Sequence, residues 1–330
     1  MTRPDDITSL LPVSIHGRHT LLDYVFFTRP VLMPPVWTIA LLGAHSVQGA
    51  SEIPGWRWIL LFVQLWFLFG AVYSLNQIFD VESDRANRKL FFLPENLISH
   101  RAAWVFTISL NVAALVLAAF LGGVYWFMTA AIASLGVLYS VGNRPWKNRP
   151  FLGFLANVVA HGVIVFGMGL VFVRGSLSAF WVVAIPYGLA VGGVYLATAA
   201  ADVDGDRLTG KKTLAVICGR TTTMRVALVL VVAALLMALL RADWHLAASA
   251  IASLPFFILA AAPPWRHQRR LLRALSAPQS AAKIAVAALT IAAIVAYPFY
   301  LACLVPGFIA TRAFFRWRFK MTYPSLNPGS

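Results

Sequence analysis

Apolar residues come in long unbroken blocks near positions 32–50, 56–78, 102–120, 124–141, 151–173, 178–201, 223–241, 244–263 and 284–305. Each is about 17 to 25 residues long, the length of helix that crosses about 30 Å of hydrocarbon. Inside lipid every backbone polar group must be satisfied internally, and continuous blocks favour helices over the two-residue alternation of a membrane barrel. The pattern predicts an all-α fold: a polytopic membrane bundle of about nine transmembrane helices enclosing a central cavity. Residues 1–23 read as a cytoplasmic N-terminal segment, 24–305 as the transmembrane domain, and 306–330 as a basic, aromatic tail resting on an interface. Pro298 and Pro306 interrupt the last block.

Composition supports this reading. Of 330 residues, 60% are hydrophobic and 12% charged, against about a quarter charged in soluble domains. The net charge of +15 does not point to nucleic acid, because the Lys and Arg residues lie between apolar blocks instead of forming one face. Connections after the even-numbered spans carry seventeen of them, in Arg85–Arg101, Arg144–Arg149, Arg207–Arg225 and Arg266–Lys283. Those after spans 1, 3, 5 and 7 carry only Arg57, Arg174 and Arg241. The positive-inside rule therefore puts the first set and the N-terminus in the cytoplasm. Nine spans would leave Arg312, Arg316, Arg318 and Lys320 outside. Cys218 and Cys303 lie far apart without metal-ligand spacing, so neither a disulfide framework nor a zinc site is implied. The first 25 residues lack a signal-peptide core, so the N-terminus is expected to stay with the mature chain. Compactness and the absence of a transit-peptide pattern suggest a bacterial plasma membrane.

The chemistry lies in the few acids. Seven of twelve fall in two segments, Asp80, Glu82, Asp84 and Glu95, then Asp202, Asp204 and Asp206. Asn76, Asp80 and Asp84 are spaced four apart and share a helical face, as do Asp202 and Asp206. Each pair follows an even-numbered span at its cytoplasmic end. Like charges so placed repel and are costly near hydrocarbon, so a compensating cation is expected. Mg²⁺ suits one or two carboxylates plus waters and phosphate oxygens. Two facing half-sites would hold a diphosphate between two metal ions, and nearby Arg and Lys residues could add charge-assisted contacts. A transporter would carry its acids at mid-membrane depth, whereas these lie at one edge.

The run Asn76-Gln-Ile-Phe-Asp80-Val-Glu-Ser-Asp84-Arg-Ala-Asn87 resembles the N-x-x-x-D-x-x-x-D signature of the UbiA superfamily of intramembrane prenyltransferases, especially its homogentisate and quinone-type branch. Asp202-Val-Asp-Gly-Asp206-Arg-Leu-Thr-Gly210-Lys-Lys-Thr213 resembles the family's second aspartate motif. Tyr139-Ser140 through Lys147 is similar to its basic loop after span 4, and Arg29-Pro30 to a weaker feature before span 1. The resemblance covers roughly residues 24 to 305. It implies that Asn76, Asp80, Asp84, Asp202 and Asp206 coordinate or orient two Mg²⁺ ions on the diphosphate, with Asp80, Asp84, Asp202 and Asp206 catalytic. It further implies phosphate contacts from Arg88, Lys147 and Lys211.

The expected partners are a prenyl diphosphate, a small aromatic or quinone-precursor acceptor, and membrane lipid, with no nucleic acid. The expected reaction is Mg²⁺-dependent transfer of the isoprenoid chain to that acceptor. A terpene cyclase on the same scaffold, needing no acceptor, is the alternative. Arg29, Phe79, Tyr139, Tyr195, Asn157 and His161 are candidates for the prenyl and acceptor pocket. Aromatic faces could stabilise an allylic cation, although packing or interface anchoring is the commoner role of such residues. His161 reads either as a proton acceptor or as a core histidine bonded to a neighbouring helix. Thr198-Ala199 stands where homogentisate-type relatives often carry Lys-Asp, so a third acidic ligand is missing.

Overall fold

The computed structural model describes residues 20–86, 92–177, 180–208, 210–262, 277–321 and 323. Among these the protein is all helical, and ten helical stretches are long and apolar enough to cross a membrane. The first stretch, Leu21–His45, is broken in the middle. Helix α1 (Leu21–Phe27) stops before Arg29, which takes the left-handed conformation at φ 57°, and a 3₁₀ turn, Pro30–Leu32, leads into α2 (Met33–His45). Proline removes a backbone donor and disfavours helix in the residue before it, which is why the span breaks at Arg29-Pro30.

The second span is α3 (Gly55–Phe79), followed by the short α4 (Val81–Ala86). Spans three and four are α5 (His100–Ala119) and α6 (Gly123–Ser140). The fifth runs through α7 (Pro150–Asn157), a π-helical segment Val158–Ile164, and α8 (Val165–Arg174). The sixth, α9 (Phe180–Ala201), leads into α10 (Val203–Leu208) and α11 (Leu214–Cys218). Then come α12 (Arg220–Leu240), α13 (Trp244–Ala261), α14 (Ala277–Ala296) and α15 (Leu301–Phe319).

Small residues let the helices approach closely, as membrane bundles require in the absence of a hydrophobic drive between helices. A Cβ added at Gly43 would collide with the Phe166 carbonyl, and one at Gly169 with that of Ala40, so α2 and α8 touch backbone to backbone. The largest apolar cluster joins α2, α3 and α8 with Tyr125, Tyr187 and Tyr300. A separate cluster forms between α9, α12, α13 and α14.

The ninth expected span, 284–305, is corrected. It is two helices, because Pro298 opens a 3₁₀ turn (Pro298–Tyr300) that reverses the chain between α14 and α15. The expected tail boundary at 305/306 consequently falls inside α15. With ten spans, the basic end of α15 returns to the side of the aspartate motifs instead of lying opposite them. There Arg318 donates twice to Asp23, at 3.0 Å each, and both side chains are fully buried. Asp23 also accepts from the Thr20 amide at 2.9 Å. Phe26, Phe27, Phe92, Leu93, Ile98, Phe314, Phe315 and Phe319 form an apolar cluster around this pair. Residues that looked like two peripheral tails are thus one buried clasp.

Candidate functional site

The site begins where α3 ends. Asp80 terminates that helix, and the Asp84 amide in α4 returns to the Asp80 carbonyl at 2.7 Å. Gln77, fully inside, donates to the Phe27 carbonyl at 2.7 Å and to that of Tyr73 at 3.2 Å, fastening the helix end to α1. The loop after α6 supplies the cation. Lys147 Nζ lies 2.7 Å from Asp80 Oδ1 and 3.2 Å from Asn76 Oδ1, with side-chain exposures of 13% for Lys147 and 17% for Asp80. Ser140 at the end of α6 lies 3.4 Å from the same Asn76 oxygen.

The second motif repeats that backbone arrangement. Asp202 sits at the break between α9 and α10, and the Asp206 amide returns to its carbonyl at 2.9 Å. The Lys211 amide then bonds the Asp206 carbonyl at 2.9 Å, and Thr213 caps α11 through the Val216 amide. Asp204 points away. It pairs with Arg220 at 2.9 Å in an exposed bridge, while Arg220 Nε holds the Ala200 carbonyl at 2.9 Å.

The two motifs share surroundings. Burial, and then the Asp80 charge, push the Asp84 carboxyl up to about 6, against the pull of Arg29, Lys211 and Lys147. Lys211 from the second motif therefore acts on a carboxylate of the first. Tyr139 lies within the fields of both Asp80 and Asp206 and beside Asn157 and Tyr195. A cavity of about 260 Å³ opens below, lined by Arg29, Tyr73, Asn76, Tyr139, Asn157 and His161 together with apolar residues that include Phe69 and Ile132. Arg29 Nε is buried there without a hydrogen-bond partner.

The sequence-derived candidates divide accordingly. Arg29, Asn76, Tyr139, Asn157 and His161 line the cavity, Asp80 and Lys147 join it through Asn76, and Tyr195 lies next to Tyr139, whereas Asp84, Asp202, Asp206 and Lys211 do not line it. Phe79 does not line it; 40% exposed, it packs edge-on against Trp104 at 5.8 Å. Arg88 lies outside the described residues. Tyr73, Gln77, Arg220 and the Asp23–Arg318 pair were not anticipated. Of these only Tyr73 left a trace in the sequence, one helical turn before Asn76 on the motif's side of α3.

No group of three or more His, Cys, Asp or Glu side chains converges among the described residues. The carboxylates come in pairs, and burial together with the Asp80 charge raises Asp84. That donor set fits a hard divalent cation that shares its shell with phosphate oxygens and water.

The chain matches the model of the UbiA prenyltransferase family over residues 32–278 and belongs to that family. A chloroplastic 2-acyl-4-prenylphloroglucinol 6-prenyltransferase from Humulus lupulus is 28% identical over 219 residues, covering 61% of this chain and 52% of the hop protein. The chain thus spans about half the length of that relative. A digeranylgeranylglyceryl phosphate synthase from Saccharolobus solfataricus is 26% identical over 187 residues, 56% of this chain and 60% of that protein. The solved structure of a UbiA homologue from Archaeoglobus fulgidus bound to GPP and Mg²⁺ superposes with a TM-score of 0.61 at 17% identity, covering 83% of this chain and 99% of the other. At that identity the likeness establishes the fold; family membership and the long apolar helices indicate an integral membrane protein.

Proposed function

We propose that the protein is a prenyltransferase that moves an isoprenoid chain from its diphosphate to a small aromatic or quinone-precursor acceptor within the membrane. One observation carries this reading: two aspartate pairs sit at equivalent helix breaks, and Asn76 of the first lines a cavity whose walls mix polar and aromatic side chains. The relatives, which include an acylphloroglucinol prenyltransferase and glyceryl phosphate synthases, support isoprenoid transfer as the class of reaction.

On this reading Asn76, Asp80, Asp84, Asp202 and Asp206 would hold two Mg²⁺ ions. Bound metal would supply charge to make diphosphate a better leaving group. The chain's own groups do the rest. Lys147 and Lys211 would donate to phosphate oxygens, and the partnerless Arg29 Nε would offer a further donor from the cavity wall. The apolar walls keep water from the reacting carbon, and the ring faces of Phe69, Tyr73 and Tyr139 can steady positive charge on the allylic chain. The ten-span topology, with the basic end of α15 joining the basic connections, supports placing the aspartates at the cytoplasmic side of the membrane.

The test is a reconstitution with geranyl, farnesyl and geranylgeranyl diphosphates, each with Mg²⁺ or EDTA and a panel of aromatic acceptors. Pyrophosphate release and prenylated product are read together. Release that needs metal and acceptor supports the transferase. Release without an acceptor, with a cyclic hydrocarbon product, would make the protein a cyclase instead.

A further inference from the structure

Transfer to an aromatic acceptor releases a proton, and the site as described so far has no group to take it. The aspartates are committed to cations, and Lys147 and Arg29 are themselves cationic. Of the residues that line the cavity, Arg29, Tyr73, Asn76, Tyr139, Asn157 and His161 are the polar ones. Among them His161 alone carries an imidazole, the side chain suited to a general base.

Its placement is specific. The fifth span has no proline after Pro150, yet it abandons α-helical geometry over Val158–Ile164, a π-helical segment centred on His161. Such segments re-aim side chains and are frequent at functional sites. The ring meets Phe69 at 5.0 Å, and Nε2 lies 3.3 Å from the Tyr73 hydroxyl, while Nδ1 is buried without a partner. The Tyr73 hydroxyl makes Nε2 the nitrogen with a relay partner at hand. Tyr73 is seven residues before Asp80 on α3, which sets it about 10 Å deeper along the axis. A diphosphate held at Asp80 would place its first chain carbon between the two levels.

Resting on the prenyltransferase reading, we propose that His161, with Tyr73 as its relay, takes the acceptor's proton, and that the acceptor is a phenol or enol with an acidic hydroxyl. The hydroxyl proton passes to Nε2, and the acceptor's ring carbon or oxygen forms a bond to the first chain carbon. The bond from that carbon to the diphosphate breaks, its electron pair leaving with the diphosphate. After attack through carbon, the displaced ring proton moves to the oxygen and restores aromaticity. Nothing is oxidised or reduced.

The experiment uses the full chain with geranyl diphosphate, Mg²⁺ and resorcinols of graded acidity, from the parent to nitro-substituted forms already ionised at neutral pH. Donor affinity and turnover are measured for the wild type, His161→Gln, His161→Ala and Tyr73→Phe. Donor affinity should stay within about twofold, showing that the variants fold. Turnover of His161→Gln should fall about 100-fold with the least acidic resorcinol and much less with the ionised ones, with Tyr73→Phe intermediate. Added imidazole should restore part of the His161→Ala activity. Losses that are equal across the series, or absent, would overturn the proposal, as would a wild type that transfers to other acceptors and to no phenol. A wild type that does not bind the donor would overturn the prenyltransferase reading itself.

Discussion

The two aspartate motifs share a backbone and differ in what surrounds it. In both, a membrane helix ends on an aspartate, a short helix follows, and the second aspartate's amide returns to the first one's carbonyl, at 2.7 Å in one motif and 2.9 Å in the other. Asp80, however, is largely buried and already carries Lys147 on its carboxylate. Asp202 is exposed, and Arg220, the cation beside its motif, is spent on Asp204 and the Ala200 carbonyl. One half of the site is thus assembled before any ligand arrives. The other half presents its first carboxylate to solvent.

The largest expected effect tests whether the halves are nonetheless equal partners in catalysis. Asp80→Ala and Asp202→Ala should each lower Mg²⁺-dependent turnover by at least about 100-fold, read as pyrophosphate release by folded protein. An Asp202→Ala variant with full activity would reduce the second motif to a solvated helix end and remove the two-metal reading.

The next effect concerns support. Gln77 ties the first motif to α1, and α1 is tied to α15 by the Asp23–Arg318 pair. Removing one member of a fully buried pair leaves the other charge uncompensated, at a cost of about 3–5 kcal/mol. Arg318→Ala should therefore lower the thermal unfolding temperature in detergent markedly. Replacing both partners by apolar residues, as in Asp23→Leu with Arg318→Met, should recover much of the loss, since burying the pair is itself costly. If Arg318→Ala unfolds like the wild type, the first motif does not depend on the clasp.

How much of this the sequence carried depends on the range of the interaction. Apolar blocks and the four-residue spacing of the aspartates are local, so most spans and the placement of Asp80, Asp84, Asp202 and Asp206 at helix ends could be read directly. Lys147 was legible because it lies in the basic loop after span 4, although its bond to Asp80 is a tertiary fact. The Asp23–Arg318 pair joins positions 295 residues apart, and Arg318 looked like one more topology signal in a basic tail. The ninth block hid two helices because hydropathy continues across Pro298 while the backbone does not. The π-helical segment has no sequence signature at all, so His161 could be read equally as core.

A smaller effect separates preassembly from mere proximity. Lys147→Ala removes the cation that holds Asp80 and Asn76 together, and a hydrogen bond to a charged group contributes about 1.5–3 kcal/mol. A rise of about 10-fold or more in the KM for prenyl diphosphate is expected, and Lys147→Arg should restore part of it. Lys211→Ala, acting on the more open half, should raise that KM less. The reverse order would mean that the exposed motif is where the donor is first held.

The smallest effect comes from Asp204, the acid between the two aspartates of the second motif. Asp204 sits two residues from both Asp202 and Asp206, so a cluster reading would give all three the same role. Helical geometry turns it off their face, and its side chain, 75% exposed, pairs with Arg220. An exposed pair of that kind contributes about 0–1 kcal/mol. Asp204→Asn should accordingly leave turnover within about twofold of the wild type and shift the unfolding temperature little. Asp202→Asn, the same chemical change two residues earlier, should behave like Asp202→Ala. If Asp204→Asn proved as damaging as Asp202→Asn, the second motif would be a three-carboxylate site, unlike the first, and the equivalence of the two helix breaks would be one of backbone only.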